Sequence, residues 1–313
     1  MTESGLAIET RALTKKYGRI TALDGIDLAV EAGSVFGMIG PNGAGKTTAM
    51  RLLLDIVRPT SGAASVLGSD PRTGGPALRR QIGFLPGELR LDARITGRAL
   101  LNHFASISGP VAPGAMNAIA DRLGLDLERR VRTLSKGNKQ KLGIVQAFMH
   151  EPRLLVLDEP TSGLDPIVQQ EFLAMVREAS ASGQTVFLSS HVLSEIQQAA
   201  DAVAILRSGR VVTVSSVEKL RLTATRHVRA GFVGVTAAEL HQALSGIPNL
   251  SGLAVVNGDG PTELTATVTG NIDPFVKAIA RFTVADLSVE EPDLEESVLK
   301  LYGVDTDEAS DEK

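Results

Sequence analysis

Residues 40–48 read Gly-Pro-Asn-Gly-Ala-Gly-Lys-Thr-Thr, and they constrain this chain more than any other stretch. They fit the phosphate-loop pattern G-x-x-x-x-G-K-[ST], with Gly40, Gly45, Lys46 and Thr47 at the fixed places. Small residues (Gly43, Ala44, Gly45) let backbone N–H groups converge on phosphate oxygens, where larger side chains would keep them apart. Lys46 is expected to reach β- and γ-phosphates, and the Thr47 hydroxyl to hold Mg²⁺. The flanks agree with that reading. Residues 35–39 form an apolar run of buried-strand length, and residues 48–57 carry Met50, Leu53, Leu54 and Val57 at helical spacing. Strand, loop and helix in this order put the positive end of a helix dipole behind the phosphates.

The length of 313 residues suggests two domains. A formal net charge of -4 supplies no global field for nucleic acid, so none is expected as a partner. The absence of cysteine excludes disulfides, thiol catalysis and Cys-ligated zinc. There is no basic segment leading into an apolar one at the start, so secretion is not expected. No apolar run has spanning length, so a membrane role requires another chain.

Before the loop, residues 6–13 alternate as an edge strand and residues 22–30 as a second strand broken by Gly25. Tyr17, between them, reads either as a ring stacked on adenine or as a cap on the sheet edge, and alone it favours the cap. Residues 58–62 are turn formers that end the first helix, and residues 82–86 are a short strand entering a loop. Residues 96–106 and 116–123 have helical spacing and form a helical insertion at about 88–150. Ser135 is placed to cap the next helix, which makes residues 134–140 either an anion site or an ordinary capped helix.

The apolar run of residues 154–157 ends in Asp158 and Glu159. Side chains alternate along a strand, so the two carboxylates point opposite ways. Asp158 is expected to order Mg²⁺ through its hydration shell, and Glu159 to act as general base on the attacking water. His191 follows a β-rich run, residues 185–188, and could contact the γ-phosphate.

Taken together, the chain resembles the ATP-binding subunit of an ABC transporter over about residues 6–220. Residues 40–48 match Walker A, with Gly40, Pro41, Asn42, Gly43, Ala44, Gly45, Lys46, Thr47 and Thr48 around the phosphates. Residues 154–159 match Walker B, residues 162–165 the D-loop and His191 the switch histidine. Tyr17 falls at the aromatic adenine position, which turns its reading toward stacking. The resemblance implies an α/β P-loop NTPase core of ABC type with a helical subdomain, using ATP and Mg²⁺. It also implies Glu159, His191 and Lys46 as the catalytic set. In that family two ATP-binding domains pair head to tail, and one copy of each motif implies a homodimer. Ser135 and Gly137, from the signature stretch, would then touch the ATP of the partner copy. The family further implies a permease subunit on a separate chain and a peripheral place on the cytoplasmic face of the cell membrane.

Two departures stand out. The signature reads Leu-Ser-Lys-Gly-Asn where Leu-Ser-Gly-Gly-Gln is usual, so Lys136 and Asn138 are substitutions. The Q-loop position holds Gly87, with Glu88 next to it as a possible oxygen ligand for Mg²⁺. These departures motivate a second reading, a low-turnover nucleotide-gated regulatory protein. A soluble ABC protein of translation or DNA repair ranks last, because only one phosphate loop is present.

Residues 221–304 read as a small C-terminal α+β accessory domain in the order βαββαβ. Residues 292–302 read as a helix resembling the tail of drug-exporter-type ABC ATPases, or as a solvated amphipathic helix. Drug export is the cargo class that this match implies. Residues 305–313 are polar and mostly acidic, and disorder is expected there.

Overall fold

In the computed structural model, which describes residues 5–219, 225–257 and 261–290, the chain divides into two units at Val217 and Glu218. The first begins with β1 (Leu6–Tyr17), β2 (Ile20–Glu31), β3 (Val35–Ile39), α1 (Lys46–Leu53), β4 (Ser61–Val66), α2 (Gly75–Arg79) and β5 (Ile82–Leu85). It continues through α3 (Gly97–Ser108), α4 (Ala115–Arg122), α5 (Lys136–Phe148), β6 (Leu154–Asp158), α6 (Pro166–Ala181), β7 (Thr185–Ser190), α7 (Leu193–Ala199), β8 (Ala202–Arg207) and β9 (Arg210–Ser216).

Strands β3, β6 and β7 are buried at every position. A strand that is apolar on both faces must be covered on both, which is the environment of a parallel sheet. These strands form the middle of a six-stranded sheet in the order β5-β6-β7-β3-β8-β9, parallel except for the β8–β9 pair. The phosphate loop leaves the C-terminal end of β3 between β7 and β8, where the neighbours lie far away in sequence. Ligand crevices of open α/β sheets lie at such a place.

A second sheet in the order β2-β1-β4 is antiparallel. One core cluster joins the two sheets. It holds Ile8, Leu13 and Leu23 of the small sheet, Phe36, Val156 and Phe187 of the large one, and Met50 and Leu53 of α1. The rings of Phe36 and Phe187 stack at 5.9 Å. Deleting a buried side chain of this kind costs about 2–5 kcal/mol.

Strand β1 is therefore central, where the alternation of residues 6–13 suggested an edge. The missing neighbour was β4, whose sequence Ser-Gly-Ala-Ala-Ser-Val carries little apolar bulk and begins in residues that read as a turn. Gly62 has φ +83°, and a Cβ there would lie 2.2 Å from the Ala12 carbonyl oxygen. Close backbone approach thus accounts for the residue that disguised the strand.

The second unit runs β10 (Thr225–Phe232), α8 (Ala237–Leu244), β11 (Leu250–Val256), β12 (Thr262–Thr269), α9 (Asp273–Ile279) and β13 (Val284–Glu290). Its strands pair antiparallel in the order β11-β12-β10-β13. Val228, Ala230 and Phe232 of β10 pack with Leu240, Leu244, Phe275 and Ile279 of the two helices. Thr236 and Glu239 close a capping box at the start of α8. The expected helix of residues 292–302 and the acidic tail lie outside the described residues. Among the described residues, no helix is long and apolar enough to cross a membrane.

Candidate functional site

The loop of residues 40–45 turns through two left-handed glycines, Gly43 (φ +83°) and Gly45 (φ +111°). At Gly40 a Cβ would meet the Leu206 carbonyl oxygen at 2.1 Å, so the sheet itself excludes a side chain there. The cleft beyond the loop has a volume of about 180 Å³. It is lined by Ala22, Pro41, Asn42, Gly43, Gly45, Lys46, Thr47, Thr48 and Glu159.

Lys46 is buried, and its ammonium donates to the carbonyls of Gly40 and Pro41. It also lies 3.4 Å from Oε1 of Glu159. A buried cation needs such partners. In this arrangement loop carbonyls and one carboxylate oxygen serve Lys46, and phosphate oxygens are the stronger alternative.

Asp158 ends β6, and Glu159 follows just outside the strand, so strand alternation does not set its direction. Asp158 is 2% exposed and accepts from the Thr47 hydroxyl (2.7 Å) and the Ser189 hydroxyl (2.7 Å). Ser189 Oγ in turn accepts from the Glu159 amide at 3.0 Å. Glu159 has φ +49°, which is uncommon for a residue with a side chain. Its Oε2 lies 2.6 Å from His191 Nδ1, and a carboxylate can only accept, so the proton sits on Nδ1. Its Oε1 is buried and makes no hydrogen bond.

Oxygen donors alone meet at Thr47 and Asp158, which suits a hard cation. Among the described residues, no group of three or more His, Cys, Asp or Glu side chains could hold a metal. A magnesium ion here would need phosphate oxygens and water to complete its shell, and that is how Mg²⁺ usually binds with nucleotides.

Other expected residues lie elsewhere. Tyr17 ends β1, pairs across the hairpin with Ile20, and is 44% exposed with Lys15 Nζ 4.9 Å from its ring centre. It does not line the phosphate-loop cleft. Ser135 caps α5 by accepting from the Asn138 amide at 3.2 Å, and neither it nor Gly137 lines that cleft. Gly137 abuts the D-loop, where a Cβ would lie 2.6 Å from the Gly163 carbonyl oxygen. Glu88 does not join Thr47 and Asp158. Its side chain is largely exposed and pairs with Arg90 at 3.4 Å. Gly87 lies beside Asp158, where a Cβ would be 3.1 Å from Oδ2.

Sequence reading missed four supporting groups. Ser189 bridges Asp158 and Glu159, as above. Glu195 is buried and accepts from the hydroxyls of Thr161 (2.8 Å) and Ser190 (2.8 Å). Gln140 donates to the carbonyls of Glu159 and Pro160. Ser189 and Ser190 stand between the β-rich run of residues 185–188 and His191, and that position was the one available signal. Gln140 lay in the stretch of residues 134–140, read only as an anion site or a capped helix, and Glu195 carried no signal.

The ABC transporter family profile matches residues 23–162. The daunorubicin resistance ATP-binding protein DrrA3 of Streptomyces coeruleorubidus is 35% identical over 310 residues, covering 96% of each chain. This chain belongs to the ABC transporter ATP-binding family. The bacitracin transport ATP-binding protein BcrA of Enterococcus faecalis is 38% identical over 216 residues, 68% of this chain and 70% of that one. A solved ATP-binding subunit of an ABC transporter superposes with a TM-score of 0.63 at 30% identity, covering 69% of this chain and 92% of the other. As an ABC ATP-binding subunit the chain binds and hydrolyses ATP in the service of transport, on a P-loop NTPase fold.

Proposed function

We propose that this ABC ATP-binding chain drives an exporter whose membrane-spanning permease is a separate chain. Two copies close head to tail around two ATP molecules, and hydrolysis opens them. The chain then works at the cytoplasmic face of the membrane as a peripheral subunit. Relatives named for bacitracin transport and daunorubicin resistance support a drug or another hydrophobic or amphipathic compound as cargo.

The observation that carries this reading is Glu159 in the lining of the phosphate-loop cleft, with its buried Oε1 free of hydrogen bonds and 3.4 Å from the Lys46 ammonium. A general base needs an acceptor within reach of its water, and this oxygen would supply one once Lys46 turns to phosphate. Lys46 would leave its loop carbonyls for the β- and γ-phosphates. Thr47 would hold Mg²⁺ directly and Asp158 would hold it through water. The ion would neutralise charge developing on the phosphates. His191 orients Glu159 through Nδ1 and leaves Nε2 for the γ-phosphate. Tyr17, at the end of β1, would stack on the adenine. Ser135 and Gly137 would meet the phosphates of the partner copy, consistent with their absence from this chain's own cleft. Catalysis on this account is mostly positioning and charge neutralisation.

The test is gel filtration of Glu159→Gln with ATP. A stable dimer that dissociates when ATP is withdrawn is expected. A monomer at saturating ATP contradicts the head-to-tail sandwich.

A further inference from the structure

Glu159 is held in an unfavourable backbone conformation, φ +49°, and something must hold it there. Its amide is held by Ser189, as described. Its carbonyl faces Gln140, whose Nε2 donates to Glu159 O at 3.2 Å and to Pro160 O at 2.9 Å. Gln140 is 5% exposed and lies on α5, the helix that starts at the Ser135 cap. One amide group thus clamps two consecutive carbonyls just after the strand. A second contact joins the same elements, since Gly137 abuts the Gly163 carbonyl.

We propose that Gln140 is a positioning residue for the catalytic carboxylate, fixing the Glu159–Pro160 backbone so that the side chain points into the cleft. One of its N–H groups serves the buried Pro160 carbonyl, and the other joins the Ser162 amide on the Glu159 carbonyl. Because Gln140 rides on the signature helix, a shift of that helix moves the carbonyl of Glu159 with it. The state of Ser135 and Gly137 is thereby communicated to the base of the same chain. The inference rests on the reading of Glu159 as general base.

The test uses two variants of nearly the same size as glutamine. Q140M removes the donors, and Q140E places an acceptor against the two carbonyls. The expected result is a fall in kcat of about tenfold for Q140M, the effect of losing hydrogen bonds of ordinary strength, and a larger fall for Q140E. KM for ATP and the melting temperature of Q140M should stay close to the parent values. A role confined to folding would lower stability and nucleotide binding together with kcat. Full turnover in Q140M overturns the proposal, as does a loss of kcat matched by lost ATP binding or lost stability. Glu159→Gln is measured alongside. If it abolishes turnover while Q140M does not, the proposal alone fails. If Glu159→Gln leaves turnover intact, the reading of Glu159 as base fails and the proposal with it.

Discussion

Nδ1 of His191 lies 2.6 Å from Oε2 of Glu159, joining the end of β7 to the end of β6. The ring is more than half exposed, while the carboxylate is largely buried. An exposed imidazole is thus fixed by a buried acceptor, and its other nitrogen is free to meet a ligand. His191→Ala removes this orientation and the second contact. We expect kcat to fall by about a hundredfold, the lower end of what a positioned proton-handling group contributes, with nucleotide binding retained. Steady-state kinetics checks this, and an unchanged kcat would remove His191 from the machinery.

Lys46 donates to two loop carbonyls and lies against Glu159 while almost fully buried. Among the described residues, Lys46 is the one cation lining the cleft, and Lys46→Ala takes it away. Charge-assisted hydrogen bonds contribute up to about 3 kcal/mol, so ATP affinity should fall by about a hundredfold or more. A fluorescent-nucleotide titration measures it. Near-normal affinity would contradict the placement of phosphates beside this residue.

His150 follows α5 with its ring nitrogens buried and poorly partnered. Burial holds its pKa below the ordinary value of 6.5, only partly offset by the backbone at Ile82. The folded state therefore binds this proton less readily than the unfolded chain does. The neutral form costs nothing above pH 6.5, and stability falls as pH drops below it toward the lower folded value. Melting temperatures between neutral and mildly acidic pH should decline less steeply in His150→Leu than in the parent. Parallel slopes would show that His150 is not a source of the acid sensitivity.

Much of the core was legible because its signals are local. The phosphate loop fixes residue type at each place, and β3, β6 and β7 are continuous apolar runs that only a buried parallel sheet accommodates. Asp158 and Glu159 stood out as a carboxylate pair after an apolar run, but Glu159 lies past the strand at φ +49°, where alternation gives no direction. The rest depends on contacts far apart in sequence. Strand β4 was hidden because its small residues are chosen for a close approach to β1, not for burial of bulk. The direction of Glu88 was not legible either, because an acidic side chain next to Gly87 says nothing about where it points, and here it pairs with Arg90. Gln140, Ser189 and Glu195 act through hydrogen bonds to backbone, carboxylate and hydroxyl groups 19, 31 and 34 positions away. No spacing rule reaches that far.

The most direct measurement is Mg²⁺-dependent steady-state ATP hydrolysis by the purified chain beside Glu159→Gln. The account predicts turnover in the parent and its loss, by about a thousandfold, in the variant, with ATP still bound. Equal turnover in both would contradict the assignment of Glu159 as the base.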